Sequence, residues 1–348
     1  MEASMTGSFA ILARFAMVLG CGCGPAGTAC GRTATDGDAR ESFPVGDPAA
    51  NDDPSIDPDD GGPGGDDGED QVIDVANMEP SEDGEDPGLL TWIRTYNTAH
   101  QRDPIVHPTP DGGYVTIVDS TVSFASLMWI LRQDGSGEIV WQKEYGDSYA
   151  AGDVMPASDG GFIVSGSLFS YPDENLSDLL VFKLDGRGRV VWHRILGGPH
   201  DDWGVKAVQA VDGSYFVMGR TDSFSFPVDD VWIVKLDGEG EVLWEKVYGT
   251  RDGDWGTDIE ETADGGAVVA GGSGHWTTGY SDSYDMWIFK LDADGEIEWQ
   301  KVIGDRDVSY ESACSVEETP DLGYIVAGDI DGEDLVVIRM YCGGNVEW

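Results

Sequence analysis

The chain has 348 residues, 40% of them hydrophobic and 10% aromatic, which is enough for a buried core and excludes a wholly disordered protein. Its 20 lysines and arginines stand against 66 aspartates and glutamates, so the formal net charge is −46. This charge repels other polyanions and excludes unaided binding to nucleic acid or to an anionic lipid surface. No uninterrupted run of about 18 apolar residues is present to cross a bilayer.

Residues 1–21 are typical of an export signal. The segment 9–20 is apolar except for Arg14, and it leads into the tetrapeptide VLGC at 18–21. This stretch resembles a lipoprotein signal peptide, in which a small residue precedes the cysteine that receives the lipid. The resemblance implies lipidation of Cys21 and an extracytoplasmic place in the cell envelope, with the membrane reached only through the lipid. An ordinary secretory signal cut near Cys21 is the alternative.

Residues 22–88 are expected to form a disordered acidic tether. The part from 36 to 86 contains 19 acidic residues and one arginine, together with clusters of glycine and proline. Such a segment cannot bury enough apolar surface to offset its chain entropy, and its like charges extend it. No spacing in it matches an EF-hand calcium loop.

Residues 89–348 contain one sequence repeat written five times, with a period of about fifty residues. The clearest copy runs from Val211 to Gly249, and its partners begin at Asp111, Asp159, Asp264 and Asp321. One tryptophan recurs near the end of each copy, at 141, 192, 244, 299 and 348, and Trp92 precedes the first copy at the same spacing. The regular spacing excludes coincidence.

Each copy predicts four short strands, here called A to D. Strand A precedes an Asp-Gly turn, B follows the turn, C carries the motif WIVKL at 232–236, and D carries EVLWEKVY at 241–248. The turn from C to D has a glycine suited to the left-handed conformation, as at Gly240, which makes C and D a hairpin. If that turn has three residues, Trp232 lies opposite Lys246.

Four antiparallel strands per copy, five copies and no helical periodicity predict an all-β protein, a β-propeller of about five four-stranded blades. The segment Leu90 to Tyr96, around Trp92, is a sixth copy of strand D. We expect it to close the propeller by pairing with the last blade. An open array of sheets is the alternative.

The composite pattern TxDGGYxVxG, DxWxxKLDxxG and xxWxKxYG resembles tandem β-propeller-like repeats found in secreted proteins and lipoproteins of bacteria and archaea. The resemblance covers about 260 residues. It implies the fold and a location outside the cytoplasm, and it implies no activity. The segment KLDADGEIEW at 290–299 also resembles, more weakly, the repeats of pyrroloquinoline-quinone dehydrogenase propellers.

Several repeated residues are predicted to serve the scaffold. These are the basic residues of strands C and D, which we expect to be balanced by the repeated carboxylates Asp178, Asp230, Asp285 and Asp334. They also include the tryptophans of strand D and the aspartates of the A–B turn, whose carboxylates suit backbone amides. Cys314 and Cys342 lie in the last repeat, and a disulfide between them is left open. No CxxC pair or histidine cluster indicates a zinc site.

Loop lengths separate this scaffold from the candidate site. The distance from the basic residue of C to the tryptophan of D is nine positions in all five copies, whereas the distance from the start of B to the tryptophan position of C is 15, 18, 17, 20 and 12. All the variation falls at the end of the sheets that holds the B–C and D–A connections, here called the variable end. Function concentrates on such loops.

The variable end is rich in aromatic residues and carboxylates, which suit a protein, glycan or cationic ligand. The predicted binding residues are Asp201, Asp202, Trp203, Asp252, Asp254, Trp255, Phe224, Phe226, His275, Trp276, Tyr280 and Tyr284. Asp252 and Asp254 are candidate calcium ligands, and no other cofactor is expected.

The function that the sequence favours is a non-enzymatic binding or scaffold module, because no GxSxG, HExxH or phosphate-binding glycine loop occurs. Two alternatives stay open. One is a propeller enzyme, either a pyrroloquinoline-quinone-type oxidoreductase or a glycan hydrolase, since a carboxylate pair leaves no sequence signature. The other is a structural surface protein without a specific ligand.

Overall fold

The computed structural model describes residues 43–44, 104–122, 125–146, 148–169, 176–225, 228–277, 281–304, 310–331 and 334–348. The chain divides into two compact units, Met1–Thr33 and Ala34–Trp348. The first unit lies outside the described residues, as do Cys21 and the predicted closing strand near Trp92. All the strands belong to the second unit.

The described residues form β-strands and turns and contain no helix, which confirms the all-β prediction. Valine, isoleucine and aromatic residues are frequent in the strands, as pleated and partly buried segments favour. The first two sheets contain β2 (Ile105–Pro108), β3 (Tyr114–Val122), β4 (Ala125–Gln133) and β5 (Ile139–Tyr145), then β6 (Tyr149–Pro156), β7 (Phe162–Phe169), β8 (Ser177–Leu184) and β9 (Val190–Leu196). The third contains β10 (Asp202–Gln209), β11 (Tyr215–Thr221), β12 (Asp230–Leu236) and β13 (Val242–Tyr248), with the short β1 (Phe43–Pro44). The last two contain β14 (Asp254–Glu261), β15 (Ala267–Thr277), β16 (Ser281–Leu291) and β17 (Ile297–Ile303), then β18 (Glu311–Glu318), β19 (Tyr324–Ile330) and β20 (Asp334–Met340).

Each sheet is an antiparallel meander in the predicted order A, B, C, D. The third sheet has a fifth strand, because β1 pairs with the edge of β13. The fifth sheet has three strands, followed by the start of a fourth. Met340 bridges to Val346, and the Arg339 amide donates to the carbonyl of Trp348 at 2.9 Å, as in the first hairpin positions of the other sheets.

The C–D turn explains one wrong prediction. Gly240 has a φ of 81°, as the turn chemistry predicts, and the turn closes through the Asp237 amide and the carbonyl of Glu241 at 2.8 Å. A β-bulge follows, however, because Lys235 pairs with Trp244 while Leu236 pairs with Val242. The extra residue shifts the register by one position, so Lys246 lies opposite Ile233 and not opposite Trp232.

The apolar core lies in layers between consecutive sheets. One cluster joins the first and second sheets around Ile130 and Phe182, and a second joins the second and third around Trp232. Two further clusters join the third to the fourth and the fourth to the fifth. The first strand of each later sheet packs against the preceding sheet. A sheet with two apolar faces buries both of them in this way.

A chain of buried polar side chains links the A strands of successive sheets. His107 of the first sheet contacts Asp153 of the second at 2.7 Å. Lys206 of the third donates to Asp258 of the fourth at 2.5 Å, and Asp258 also accepts from the Ser315 hydroxyl of the fifth at 2.9 Å. The charges of His107 and Lys206 hold the pKa of Asp153 below its usual range although burial opposes them. These partners reduce the free energy cost of burying the Asp153 carboxylate.

The repeated basic residues have structural partners, but these differ in part from the expected ones. In strand C, Arg132, Lys183, Lys290 and Arg339 each pair with the aspartate of their own A–B turn. In strand D, Arg194 and Lys246 reach Glu241 and Glu296 in the C–D turn of the next sheet. The turn aspartates also accept backbone amides, as predicted, for example from Gly161 to Asp159 at 2.9 Å.

The tryptophans of strand D join neighbouring sheets. Trp141, Trp192, Trp244 and Trp299 each donate their indole N–H to a carbonyl in the C–D turn of the following sheet, at 2.9 to 3.1 Å. These contacts agree with the scaffold role that the sequence predicts for the four rings. They also explain why the tryptophan recurs once in every copy.

Cys314 is a free thiol, whereas Cys342 is disulfide-bonded, so the two do not pair with each other. Burial, with Asp329 beside it, raises the pKa of the Cys314 thiol to about 11. The thiol is therefore protonated at neutral pH. Among the described residues no helix is long and apolar enough to cross a membrane.

Candidate functional site

The B–C loop of the third sheet packs against a buried residue of the same sheet. Phe224 lies edge-on against the buried Trp232, with ring centroids 5.2 Å apart. The Ser225 hydroxyl donates to the carbonyls of Thr221 and Val228 at 2.5 and 2.7 Å. Phe224 therefore serves the core, and Phe226 lies outside the described residues.

In the fourth sheet the predicted B–C loop is for the most part a β-hairpin. Strands β15 and β16 stay paired as far as Thr277 and Ser281, so His275, Trp276 and Tyr284 are strand residues and not loop residues. Backbone pairing extends here because the residues on both sides continue a regular register without a bulge. Tyr280 lies outside the described residues.

The two predicted carboxylates of the third sheet accept hydrogen bonds from the second sheet and from neighbouring loops. Asp201 accepts from the amide and the hydroxyl of Ser177 in the second sheet, at 2.8 and 3.1 Å. Asp202 is fully buried and accepts from the Gly198 amide at 2.8 Å and the Ser223 hydroxyl at 2.7 Å. Both side chains hold loops in place, and neither lines the cleft described below.

The corresponding carboxylates of the fourth sheet are Asp252 and Asp254. Thr250 donates its amide and its hydroxyl to Asp254 Oδ2, at 2.5 and 2.8 Å. Asp254 is buried, whereas Asp252 is partly exposed. Across the described ranges no group of three or more metal-ligating side chains comes together. The calcium site at Asp252 and Asp254 stays a prediction.

A cleft of about 470 Å³ lies between the third and fourth sheets at the variable end. The third sheet contributes Arg220 and Asp229, and the fourth contributes Asp254, Trp255 and Tyr284. Three of the predicted binding residues, Asp254, Trp255 and Tyr284, are thus brought together. The cleft is open enough to admit solvent and small enough to hold a small ligand.

Arg220 and Trp203 form one side of this region. They are cross-strand partners in β10 and β11, and the guanidinium lies over the indole with its carbon 5.5 Å from the ring centroid. The same guanidinium forms an ion pair with Asp229. The Arg220 side chain therefore covers one face of the Trp203 ring. Arg220, and not Trp203, lines the cleft.

Trp255 occupies the equivalent position in the fourth sheet, but its cross-strand partner is Gly272. A β-carbon built on Gly272 overlaps the Trp255 indole, so the ring lies directly on the glycine. Tyr284 meets Trp255 edge-on, with centroids 4.6 Å apart and an interplanar angle of 81°. Because position 272 has no side chain, Trp255 is left to line the cleft.

A second carboxyl group lies behind Asp254. Burial, with the charge of Asp254 added to it, raises the pKa of Asp230 to about 8. The pair recurs one junction earlier, where burial and the charge of Asp202 raise the pKa of Asp178 to about 6. At neutral pH Asp230 therefore keeps its proton, and Asp254 accepts two hydrogen bonds from Thr250.

Sequence reasoning missed Arg220, Asp229, Asp230 and Gly272. The residue eight positions after the turn aspartate is Arg220 in the third copy and Gly272 in the fourth, a difference visible in the aligned repeats. The recurring Asp178, Asp230 and Asp285 were visible too, but they were expected to balance the lysines. That role belongs instead to the turn residues.

No family model matches the chain, and no curated protein matches it. A protein of unknown function from Bacteroides caccae is 13% identical, with 68% of this chain and 72% of that one covered and a TM-score of 0.44. A puromycin hydrolase is 15% identical, with 69% and 38% covered and a TM-score of 0.46. A mannose phosphorylase from Leishmania mexicana is 12% identical, with 70% and 85% covered and a TM-score of 0.39. These structures assign neither an activity nor a ligand to this chain.

Proposed function

We propose that the protein is a non-enzymatic binding module whose ligand enters the cleft between the third and fourth sheets. The observation that carries this proposal is the position of Trp255, a partly buried ring that lines a solvent-open cleft at the end of the sheets where connection lengths vary. A site of this size with aromatic walls and a few polar groups is the usual form of a ligand pocket. A rigid layered scaffold holds it in place.

The scaffold in this proposal is a five-bladed β-propeller closed by the segment around Trp92. Support comes from the order of the sheets, each packing on the next, and from the likeness of the segment around Trp92 to strand D of the repeat. Deletion of residues 89–96 should lower the melting temperature, whereas deletion of residues 60–67 from the tether should not. Equal melting temperatures would count against closure by this segment.

The location in this proposal is outside the cytoplasm, with the chain anchored by lipid on Cys21 and held away from the membrane by the tether 22–88. Labelling with a radioactive fatty acid tests it. The wild-type chain should incorporate label and the Cys21→Ser variant should not. A secreted, unlabelled wild-type chain would favour the ordinary secretory signal.

Binding at the cleft is tested with the full chain and its Trp255→Ala variant on a combined glycan and protein array. The proposal expects signals that the variant loses, while its melting temperature stays close to that of the wild type. Signals that persist unchanged in Trp255→Ala would place the binding site elsewhere. An array without any signal would favour a structural surface protein without a ligand.

A hydrolase acting in the same cleft is the second candidate, and the Asp230–Asp254 pair favours it. A carboxyl group that keeps its proton at neutral pH beside a second carboxyl group is an arrangement that acid catalysis uses. Incubation with oligosaccharides, followed by measurement of new reducing ends, separates the two functions. Turnover that is lost in Asp254→Asn would replace the binding module by an enzyme.

A further inference from the structure

We propose that the ligand of the cleft is a neutral polyhydroxylated molecule, a glycan segment without charged groups. This inference rests on the proposed binding function and names the class of ligand for the same site. It follows from the shape of the cleft, its aromatic surface, its paired polar groups and its balance of charge.

The shape favours a small or narrow ligand. The cleft of about 470 Å³ is concave and bounded by two sheets. Its volume falls in the range of about 300 to 1,000 Å³ typical of small-molecule sites. One or two sugar units fit such a space, whereas a folded protein partner would need a broad surface.

The aromatic surface favours a ligand with C–H groups on a flat face. Trp255 rests on Gly272, and Tyr284 stands at 81° to it with the ring centroids 4.6 Å apart, so the two rings form a corner. A corner differs from a cage that surrounds an ammonium group on several sides. The axial C–H face of a pyranose packs on such a ring through dispersion and loss of hydration.

The polar groups favour hydroxyl groups as partners. Arg220 and Asp229 form an ion pair at the edge of the cleft, which places planar N–H donors beside carboxylate acceptors. Adjacent hydroxyls of a sugar both donate and accept, so they match such a pair. Arg220 is also fixed over Trp203, and a fixed side chain loses less entropy when it binds.

The charges disfavour ionic ligands of either sign. An anionic sugar meets a repeat region with 46 acidic and 17 basic residues. A cationic ligand finds Asp229 already paired with Arg220, and it finds Asp254 buried with two donors from Thr250. Displacing these partners would cost the desolvation and hydrogen bonds that they now satisfy.

The experiment measures binding of three probes to the full chain by calorimetry: neutral gluco-, manno- and galacto-oligosaccharides, oligogalacturonate, and oligolysine. The variants are Trp255→Ala and Gly272→Ala, which removes no aromatic ring but displaces Trp255. Gly343→Ala is the matched control, because a β-carbon there meets nothing within 4 Å. Melting curves establish that each variant folds.

The inference expects a neutral oligosaccharide to bind, with a loss of about tenfold or more in both cleft variants and none in Gly343→Ala. Binding of oligolysine or oligogalacturonate that is lost in Trp255→Ala would overturn the ligand class and leave the proposed site standing. Binding that is equal in all variants would overturn the site and the class together. Absence of binding by all three probes would overturn the neutral-glycan inference.

Discussion

The third and fourth sheets differ in the cross-strand partner of a repeated tryptophan, and this difference lies at the candidate site. In the third sheet Trp203 lies under its cross-strand partner Arg220, while in the fourth Trp255 lies beside Gly272. The repeat thus supplies the same ring twice, once under a guanidinium and once in the lining of the cleft. The residue across the strand pair differs between the two copies, and the proposed function assigns ligand contact to the second ring only.

The two sheets also differ in their B–C connections. The third sheet has a compact loop held by Ser225 and Phe224, whereas the fourth continues as a paired hairpin to Thr277 and Ser281. The hairpin places Tyr284 on a strand next to Trp255. A site built on strands holds its side chains more accurately than one built on a loop.

The largest expected loss of stability comes from breaking the buried ion pair between Lys206 and Asp258, which joins these two sheets. Lys206→Met removes the partner of Asp258 and should lower the free energy of unfolding by about 3 kcal/mol or more, because it leaves a buried charge uncompensated. Urea unfolding measures it. The control is Arg189→Met at the exposed pair with Asp185, where a loss below about 1 kcal/mol is expected. Equal losses would show that the buried link does not hold the sheets together.

Giving Trp255 the cross-strand partner of Trp203 should have the next largest effect, a loss of ligand affinity. Gly272→Arg gives Trp255 the partner that Trp203 has, and binding of neutral oligosaccharide should fall by about tenfold or more. Calorimetry measures the affinity, with Gly343→Arg as the control at an unobstructed glycine. Retention of full affinity in Gly272→Arg would show that ligand binding does not require access to Trp255.

Three carboxyl groups with raised pKa values, of which Asp230 lies at the same junction, predict a dependence of stability on pH. The pKa values of Asp230, Glu260 and Asp178 are raised to about 8, 7 and 6, so the folded state binds more protons than the unfolded state. Their contribution is fully present below the unfolded values near pH 4 and is lost as the pH rises through the folded values. The melting temperature should therefore fall by about 3 °C or more between pH 5 and pH 8.5.

The variant Asp230→Asn provides the control for that prediction. An amide does not titrate, so the slope of melting temperature against pH should become shallower in this variant. The measurement is differential scanning calorimetry at constant ionic strength. A wild-type protein that becomes more stable between pH 5 and pH 8.5 would contradict the assignment of raised pKa values.

The smallest effect is expected at the other end of the junction between the third and fourth sheets. Trp244→Phe removes the indole donor to the carbonyl of Ala293 and should cost about 1 kcal/mol in urea unfolding. Oligosaccharide affinity should not change, because Trp244 lies near the C–D turns, away from the cleft. A loss of affinity would mean that the cleft depends on how the opposite end is held.

The strand order was predictable because alternating apolar residues and glycine turns act locally. The register was not, since the bulge between Lys235 and Leu236 depends on how the turn closes, and it places Lys246 opposite Ile233 instead of Trp232. Asp254, Trp255 and Tyr284 could be found from composition. Their relation to Arg220 and Gly272 depends on cross-strand pairing, which the spacing of one copy does not fix.

The most direct test of the proposal that Trp255 contacts the ligand is fluorine NMR on the full chain labelled with 5-fluorotryptophan. The resonances of Trp255 and Trp203 are assigned from Trp255→Phe and Trp203→Phe, and neutral oligosaccharide is then added. We expect the Trp255 resonance to shift in proportion to bound ligand while the covered Trp203 shifts little. An unchanged Trp255 resonance under conditions where calorimetry detects binding would contradict the proposal that this ring contacts the ligand.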